Sequence, residues 1–568
     1  MLLKISLSSS ILLTASFLIA MGACRTDKQK ENREGVDYYI NSNSGDDANK
    51  GLSPSHPLKT LERIQSAELG PGDRILLASG QRFRGSLVLK DVSGTVQHPV
   101  IVSSYTEEVS TAMPLINATG YANAVVLENC SHVEVKNLAL TADGGGETGD
   151  TAATNSTESD MRCGVLVKIT REGSFTGIRL ENLAIKDIFH ENRGFERPEG
   201  EVRTANGTQR YGWGIRLINK VKNACLTKVE IRSCTIENVS HTGIKLTSRT
   251  GGENGYGIQD FTISGNRVLS VGGPGIQMSG VSNGYISENL VDGSGNHDDS
   301  RKWGRGSGLW TWGSRDIVIE KNRFLNARGP GDSAGAHIDF NCSNVVLQYN
   351  FSANNAGGFC EILGNNHNCA YRYNVSVNDG HRIKGQDGAF QEGKTFWLSG
   401  YQGRGRKRSG PFNSYFYNNT IFTGSEMVSK FAVSHSASGV LIANNIFHIE
   451  GASKGVLGDQ YQPDRAGSTG IPHVIFENNL YFERYSWPEE VLIQDISSMV
   501  GDPGFMKPGG PSVEDYIPAN SEAVKDRGVV IRSIPGDTIG LTIGLAVTHD
   551  ILGNEIKDAP DMGAIEIR

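Results

Sequence analysis

Apolar and polar residues alternate over stretches of four to six residues through the middle of this chain, from about residue 125 to residue 482. This period of two is typical of a β-strand with one buried face. No helical period longer than about two turns appears in that region. Before it, residues 58–67 (LKTLERIQSA) place Leu58, Leu61 and Ile64 on one face of a short amphipathic helix. The pattern therefore predicts an all-β protein whose short strands follow one N-terminal helix.

A six-residue pattern, apolar-x-x-Asn-x-apolar or a close variant, recurs at spacings between 23 and 45 residues. The short spacings fit one rung of a solenoid, and the long ones fit a rung with an inserted loop. Asn tolerates the left-handed backbone of a corner, and stacked Asn side chains hydrogen-bond along a column. We therefore predict a right-handed parallel β-helix with a short N-terminal capping helix and a C-terminal cap. The repeated asparagines are Asn266, Asn289, Asn322, Asn350, Asn374, Asn419, Asn445 and Asn479.

The first residues predict export. Lys4 precedes a short apolar run at residues 11–20, which is too short to span a bilayer. The following Met-Gly-Ala-Cys resembles the bacterial lipobox, although Met21 stands where that pattern favours Leu. We expect lipidation at Cys24 and a membrane-anchored lipoprotein in the periplasm or at the cell surface. The alternative is an ordinary secretory signal with a chance cysteine.

The expected organisation has four parts. Residues 1–23 form the signal peptide, 24–36 a flexible tether, 37–490 the β-helix with its N-terminal cap, and 491–568 the C-terminal end of the solenoid. A net charge of −7 argues against a nucleic-acid partner. Contact with the membrane is expected only through the N-terminal lipid. Seven cysteines remain after Cys24, which leaves room for one disulfide bridge of unspecified pairing. The oligomeric state stays open.

Three further stretches carry a family resemblance. The opening YYINSNSGDDANKGLSPSHPLKTLERI, the following PGDRILLASG and the closing DMGAIE resemble secreted bacterial proteins of the pectin-lyase-like β-helix superfamily. The resemblance implies the fold over nearly all of the mature chain. It leaves the reaction open, because the superfamily contains polysaccharide lyases, glycoside hydrolases, epimerases and non-catalytic proteins.

Counting residues to and from the repeated asparagines aligns a second strand of each rung. One solvent-facing column then contains Lys245, Gln277, Thr311, Asp339 and Glu361. Asp339 and Glu361 are expected on adjacent rungs, about 4.8 Å apart at the backbone. Such a pair suits acid–base or nucleophilic catalysis of glycoside hydrolysis, or Ca²⁺ binding, and the alternative is two solvated surface acids.

Other residues are expected to join this pair. His337 lies two residues before Asp339 on the same face and is a candidate proton shuttle. Trp310 and Trp312 either stack on sugar rings or fill the interior, depending on the register. A basic insertion near His381, Arg382 and Lys384 is expected to bind an acidic glycan together with Lys245, although a solvated charge run is the alternative.

We therefore predict an exported enzyme that cleaves an acidic polysaccharide, with hydrolysis slightly favoured and no cofactor. The first alternative is a Ca²⁺-dependent lyase in which Asp339 and Glu361 bind the metal and His381, Arg382 or Lys384 takes the proton. The second is a non-catalytic glycan-binding surface protein.

Overall fold

The structure is a computed structural model that describes residues 34–106, 112–145, 161–204, 210–249, 255–456, 473–488, 495 and 497–568. The predicted signal peptide, most of the tether and Cys24 lie outside these residues. The first nineteen strands are β1 (Asp37–Ile40), β2 (Arg74–Ala78), β3 (Arg82–Arg84), β4 (Leu87–Lys90), β5 (Val100–Tyr105), β6 (Leu115–Asn117), β7 (Asn123–Glu128), β8 (Val133–Asp143), β9 (Arg162–Lys168), β10 (Gly173–Phe189), β11 (Gly212–Asn219), β12 (Ala224–Arg232), β13 (Thr235–Val239), β14 (Ile244–Ser248), β15 (Ile258–Ser264), β16 (Arg267–Leu269), β17 (Ile276–Ser279), β18 (Val281–Ser287) and β19 (Leu290–Asp292). The others are β20 (Leu309–Trp312), β21 (Arg315–Glu320), β22 (Arg323–Leu325), β23 (Ala336–Ile338), β24 (Ser343–Gln348), β25 (Phe351–Ala353), β26 (Gly358–Ile362), β27 (Ala370–Arg372), β28 (Val375–Val377), β29 (Lys394–Leu398), β30 (Phe412–Tyr417), β31 (Thr420–Thr423), β32 (Ser429–Val433), β33 (Ser438–Ala443), β34 (Ile446–Ile449), β35 (Ser453–Gly455), β36 (Val474–Glu477), β37 (Leu480–Tyr481) and β38 (Met499–Val500).

These strands form the predicted right-handed parallel β-helix. In the described part of the chain they make a 26-stranded and a 12-stranded sheet, and the strand pairs that build both sheets are parallel. A typical rung gives one strand to the shorter sheet and two to the longer one, as β20, β21 and β22 do. The apolar side chains that face inward form one continuous core along the stack. The alternation seen in the sequence is therefore the in-and-out pattern of each rung.

The repeated asparagines form a buried ladder inside the turns. Asn350 donates from Nδ2 to Oδ1 of Asn374 (3.0 Å) and to the carbonyls of Ile319 (2.9 Å) and Gln348 (3.0 Å). Its own Oδ1 accepts from the backbone N and the Nδ2 of Asn322, both at 3.0 Å. Each ladder amide thus satisfies backbone groups that the turn would otherwise leave unpaired.

The left-handed residue at each corner precedes the ladder Asn rather than being the ladder Asn. Lys321, Tyr349 and Asn418 have φ values of 56°, 57° and 50°. Of the two predicted reasons for the asparagines, the left-handed backbone was therefore wrong, and the hydrogen-bonded column of side chains is confirmed. The asparagines are selected for their side-chain amides, which explains why Lys and Tyr serve at the strained position.

The two ends of the stack differ. Leu61 and Ile64 of α1 (Leu61–Ile64) are buried in the core, while Leu58 forms a bridge with Ile40. The ladder ends at Asp495, whose Oδ2 accepts from Nδ2 of Asn479 at 2.8 Å. Two 3₁₀ segments, Glu199–Arg203 and Val513–Tyr516, and a second short helix, α2 (Ser521–Val524), complete the regular elements.

The C-terminal segment runs back along the outside of the longer sheet. The backbone N of Val529 donates to Asn444, and Tyr349 donates to the carbonyl of His549 at 3.0 Å. The seven cysteines among the described residues are free thiols, six of them buried. Within the same residues, no helix is long and apolar enough to cross a membrane.

Candidate active site

The outer face of the 12-stranded sheet carries the predicted column, but in a different register from Thr311 onward. Gln277 pairs with Trp310, and Trp310 pairs with His337. Ile338 pairs with Ile362, which places Glu361 beside His337. The column is therefore Lys245, Gln277, Trp310, His337, Glu361 and Trp397.

The error came from counting 11 residues between the sheet and the ladder at Thr311 and Asp339, where the column residues Trp310 and His337 precede their ladder Asn by 12 and 13. Asn289 follows Gln277 by 12 residues, whereas Asn374 follows Glu361 by 13. One extra residue in a turn moves the whole strand by one position and reverses its faces. Thr311 accordingly points inward and is fully buried, while Trp310 and Trp312 face outward and are half-buried.

Asp339 faces outward beyond the end of β23, two residues after His337. It therefore lies one position further along the face than Glu361, on the adjacent rung. Diagonal neighbours of this kind are about 7–8 Å apart at Cα, so the predicted direct stacking at 4.8 Å was wrong. The two carboxyls still interact, because the charge of Asp339 raises the pKa of Glu361.

Asp339 is buried and held by two donors. The indole Nε1 of Trp310 donates to Oδ2 at 2.7 Å, and the backbone N of Phe340 donates to Oδ1 at 2.8 Å. Burial raises the pKa of Asp339 to about 7, although both hydrogen bonds favour the charged form. This carboxyl therefore changes protonation near neutral pH.

Asp332, in a glycine-rich loop before β23, completes the cluster. Arg305 binds it with two hydrogen bonds, from Nε to Oδ2 (2.8 Å) and from Nη2 to Oδ1 (3.1 Å). Burial alone would raise the pKa of Asp332, but the charge and hydrogen bonds of Arg305, helped by His337 and Arg382, hold it below its usual value. Asp332 is thus a permanent anion beside a carboxyl that titrates near 7. The sequence signal that could have identified this site is an acidic residue directly after Gly-Pro-Gly, together with the arginines of the preceding insertion, Arg301 and Arg305.

Glu361 and His337 are both buried. Burial raises the pKa of Glu361 to about 8; the positive charge of Lys394 opposes this rise, and the negative charges of Asp332 and Asp339 add to it. Burial lowers the pKa of His337 to about 4, and its Nδ1 lies 3.1 Å from Oγ of Ser307. At neutral pH Glu361 is therefore protonated and the imidazole is uncharged.

The remaining predicted residues occupy different surroundings. Arg382 is buried and donates to the carbonyls of Gly329 (3.1 Å), Asp332 (3.0 Å) and Gln391 (2.8 Å), so it fixes the loop that carries Asp332. His381 and Lys384 are exposed on the same insertion. Lys245 is buried, with its Nζ 4.9 Å from the ring centre of Trp213. Their roles in substrate binding stay predictions.

Three aromatic rings form a wall next to Asp339. Trp312 meets Phe340 edge-to-face at 6.0 Å, and Phe340 meets Tyr401 in the same way at 5.6 Å. All three side chains are partly exposed. Aromatic faces of this kind bury the apolar surface of a ligand while their polar edges stay hydrated.

The Ca²⁺ site of the lyase alternative stays a prediction. Calcium takes about six to eight oxygen ligands. Both oxygens of Asp339 already accept hydrogen bonds. Among the described residues, no group of three or more His, Cys, Asp or Glu side chains is placed to hold a metal ion.

Comparison with known proteins supports the fold and adds a chemical lead. A family model described as "Right handed beta helix region" matches residues 213–421. A lacto-N-biosidase of Bifidobacterium longum subsp. longum is 23% identical over 94% of this chain and 36% of its own length. The chain thus spans about a third of the curated relative that it matches.

Solved structures give the same picture. The native structure of a GH136 lacto-N-biosidase from Eubacterium ramulus aligns with a TM-score of 0.53 and 20% identity, over 84% of this chain and 70% of that one. Its selenomethionine derivative aligns with a TM-score of 0.51 and 22% identity, over 76% and 68% of the two chains. At these identities the structural likeness establishes the right-handed β-helix.

Proposed function

We propose that this protein is a glycoside hydrolase whose acid and base come from the carboxyls around Trp310. The observation that carries the proposal is that two neighbouring carboxyls, Asp332 and Asp339, have pKa values shifted in opposite directions from that of an ordinary Asp. Arg305 lowers the pKa of Asp332, while burial raises that of Asp339 to about 7. Pairs of carboxyls displaced in this way divide acid and base roles in glycosidases.

In the proposed reaction, neutral Asp339 donates its proton to the glycosidic oxygen as the bond to the anomeric carbon breaks. The Asp332 carboxylate supplies the opposing negative charge. It either attacks the anomeric carbon or takes a proton from the water that attacks it. Glu361, the second neutral carboxyl, is the alternative acid, as the pairing of Asp339 with Glu361 in the sequence already suggested.

The similarity to lacto-N-biosidases supports hydrolysis rather than elimination as the reaction class. The partly exposed rings of Trp310 and Trp312 support a sugar ligand, because flat aromatic faces pack against apolar faces of ligands. The substrate of this chain stays a proposal, since the chain spans only part of the curated relative.

We also propose an acidic substrate. Arg404, Arg406 and Lys407 are exposed on the loop that follows Tyr401. Burial raises the pKa of Tyr401, the charge of Asp339 adds to this rise and the charge of Arg404 opposes it, so this loop and the carboxyls act on the same ring. A positive loop at this position would attract an anionic glycan.

Export and lipidation at Cys24 belong to the proposal on sequence grounds alone. Metabolic labelling with a radioactive fatty acid should mark the wild type and leave a Cys24→Ser variant unlabelled. Labelling of both forms would overturn the lipobox assignment.

The reaction is tested with purified, lipid-free protein and a panel of glycans that includes neutral, N-acetylated and uronate-containing polymers. Release of reducing ends without unsaturated uronates would support hydrolysis, and NMR of the first product anomer would decide between retention and inversion. Unsaturated uronates abolished by EDTA would establish the lyase alternative instead. Binding without cleavage across the panel would favour the non-catalytic alternative.

A further inference from the structure

Phe390 lies between two guanidinium groups at the edge of the candidate site. The Cζ of Arg203 is 4.7 Å from the centre of its ring, and that of Arg305 is 5.3 Å from it. The three residues come from three separate insertions of the solenoid, which precede β11, β20 and β29. We name this arrangement the Arg203–Phe390–Arg305 stack.

The stack packs directly against the loop that carries Asp332. A Cβ added to Gly331 would lie 2.4 Å from the Phe390 ring, so a larger residue there would displace the ring. The backbone N of Phe390 donates to the carbonyl of Pro330 at 3.0 Å. The ring and the acidic loop are therefore in direct contact.

Arg305 links the ring to the carboxylate. Its Nε and Nη2 bind both oxygens of Asp332, and its Nη1 donates to the carbonyl of Val202 at 3.2 Å. The aliphatic part of the Arg305 side chain has several rotatable bonds, so the ring face and the carbonyl restrict its planar guanidinium to the orientation that binds Asp332.

We infer that Phe390 is a positioning residue: by holding the Arg305 guanidinium against Asp332, it fixes the carboxylate that the proposed hydrolase uses as its nucleophile or base. The inference rests on the proposed function. It assigns a role in the reaction to the insertions that meet at the stack.

Several charged or titratable groups face Asp332, namely Arg305, Arg382, His337, Asp339 and Glu361. Arg382 donates to the carbonyl of Asp332 and to that of Gly329. Arg305 makes the two-pronged contact with the carboxylate itself. Loosening Arg305 should therefore raise the pKa of Asp332, because an opposite charge at contact lowers a carboxyl pKa by about 1–3 units.

The test compares pH–rate profiles of Phe390→Leu, Phe390→Tyr and Phe482→Leu. Phe390→Leu should move the acidic limb of kcat/KM upward by about one pH unit, a roughly tenfold loss on that limb with little change above it. Phe390→Tyr keeps the ring and should keep the limb. Phe482→Leu is the matched control, because Phe482 is also half-buried and stacks on a basic ring, His448, far along the solenoid.

A second measurement needs no substrate. The carboxyl carbon of Asp332, assigned by its loss in Asp332→Asn, should titrate at higher pH in Phe390→Leu than in the wild type. Arg203→Gln, which removes the outer guanidinium without a cavity, should shift it in the same direction and serves if Phe390→Leu does not fold. Unchanged titration of Asp332 in the folded variants would overturn the inference even if hydrolysis is confirmed. Absent turnover with a shifted titration would instead count against the proposed function alone.

Discussion

The indole of Trp310 donates to Oδ2 of Asp339 at 2.7 Å, from one rung of the β-helix to the next. The backbone N of Phe340 binds the other oxygen at 2.8 Å. Both donors stabilise the charged carboxylate, whereas burial favours the neutral acid. The balance leaves the pKa of Asp339 at about 7, which suits a group that gives and regains a proton at neutral pH.

Replacing Trp310 by Phe should disturb that balance. The substitution keeps an aromatic face but removes the indole donor, so the pKa of Asp339 should rise and its orientation should loosen. We expect kcat to fall by about 10- to 100-fold and the basic limb of the pH–rate profile to move upward. Trp312→Phe is the control, because Trp312 lies on the same strand and contacts Phe340 by ring packing. An equal effect of both substitutions on kcat would contradict the role of the hydrogen bond.

The carboxyls should differ in their effect on turnover. Asp339→Asn and Asp332→Asn should each lower kcat by about a thousandfold or more, as loss of an acid or base does in a concerted site. Glu361→Gln, which keeps a neutral donor, should cost less if Glu361 only binds substrate. Asp316→Asn on the opposite sheet is the control. Rescue of one variant by added azide would identify the carboxylate that attacks the anomeric carbon. A larger loss of kcat in Glu361→Gln than in Asp332→Asn would contradict the role of Asp332 and favour Asp339 and Glu361 as the catalytic pair.

The fold could be predicted from the sequence because its signal repeats. Each ladder Asn makes the same contacts with the rungs on both sides, so the pattern around Asn350 recurs at Asn322 and Asn374. Alternation of apolar residues then gives the buried face of each strand. Errors at single turns do not accumulate into a different architecture.

The site was harder to predict because it depends on single-residue differences between turns. The distance from the outward-facing residue to its ladder Asn is 12 residues at Trp310 but 13 at His337 and Glu361, and this difference moved Asp339 out of the column. Arg305 and Asp332 lie in irregular loops 27 residues apart, where no period applies. Long-range contacts of this kind leave no local pattern in one sequence.

The basic loop at residues 404–407 should affect KM for acidic substrates only. The combined substitution Arg404→Gln, Arg406→Gln and Lys407→Gln removes three exposed positive charges next to the aromatic wall. KM for a uronate-containing substrate should rise several-fold and lose most of its salt dependence, because exposed charges act through a screened field. KM for a neutral glycan should stay unchanged. A similar change for both substrates, or for neither, would contradict the proposal of an acidic glycan.

The ladder should contribute more to stability than its corners. Asn350→Ala removes a fully buried amide together with its hydrogen bonds to the backbone N of Asn322 and to the carbonyls of Ile319 and Gln348. We expect a loss of at least about 3 kcal/mol, since buried groups left unpaired cost about 1–3 kcal/mol each. Asn354→Ala, at an exposed left-handed corner with φ of 57°, should cost only about 1–2 kcal/mol. Thermal unfolding of both variants checks the order, and a larger loss at Asn354 would return the asparagines to a backbone role.

Asn355 and Asp379 form a second, shorter column of buried hydrogen-bonded side chains, which ends in the carboxyl of Asp379. This carboxyl should make the stability of the protein depend on pH. Asp379 accepts from the backbone N and the Nδ2 of Asn355 and from Oγ of Ser376, yet burial raises its pKa to about 6. The native state therefore holds this proton more tightly than the unfolded chain does. Its stabilising effect is present below the unfolded pKa near 4 and is lost as the pH rises through about 6.

Asp379→Asn should remove the loss of stability that the wild type shows as the pH rises through about 6. The amide oxygen can accept from Asn355, and the amide NH₂ can donate to Ser376, so the hydrogen bonds are kept. The variant should match the wild type near pH 4 and exceed its stability above pH 7 by roughly 3 kcal/mol, which corresponds to the displacement of the pKa. Unfolding midpoints measured across this pH range provide the comparison, with the exposed Asp260→Asn as the control that should show no such trend. A variant that is less stable than the wild type at every pH would show that the carboxylate is needed to end the ladder.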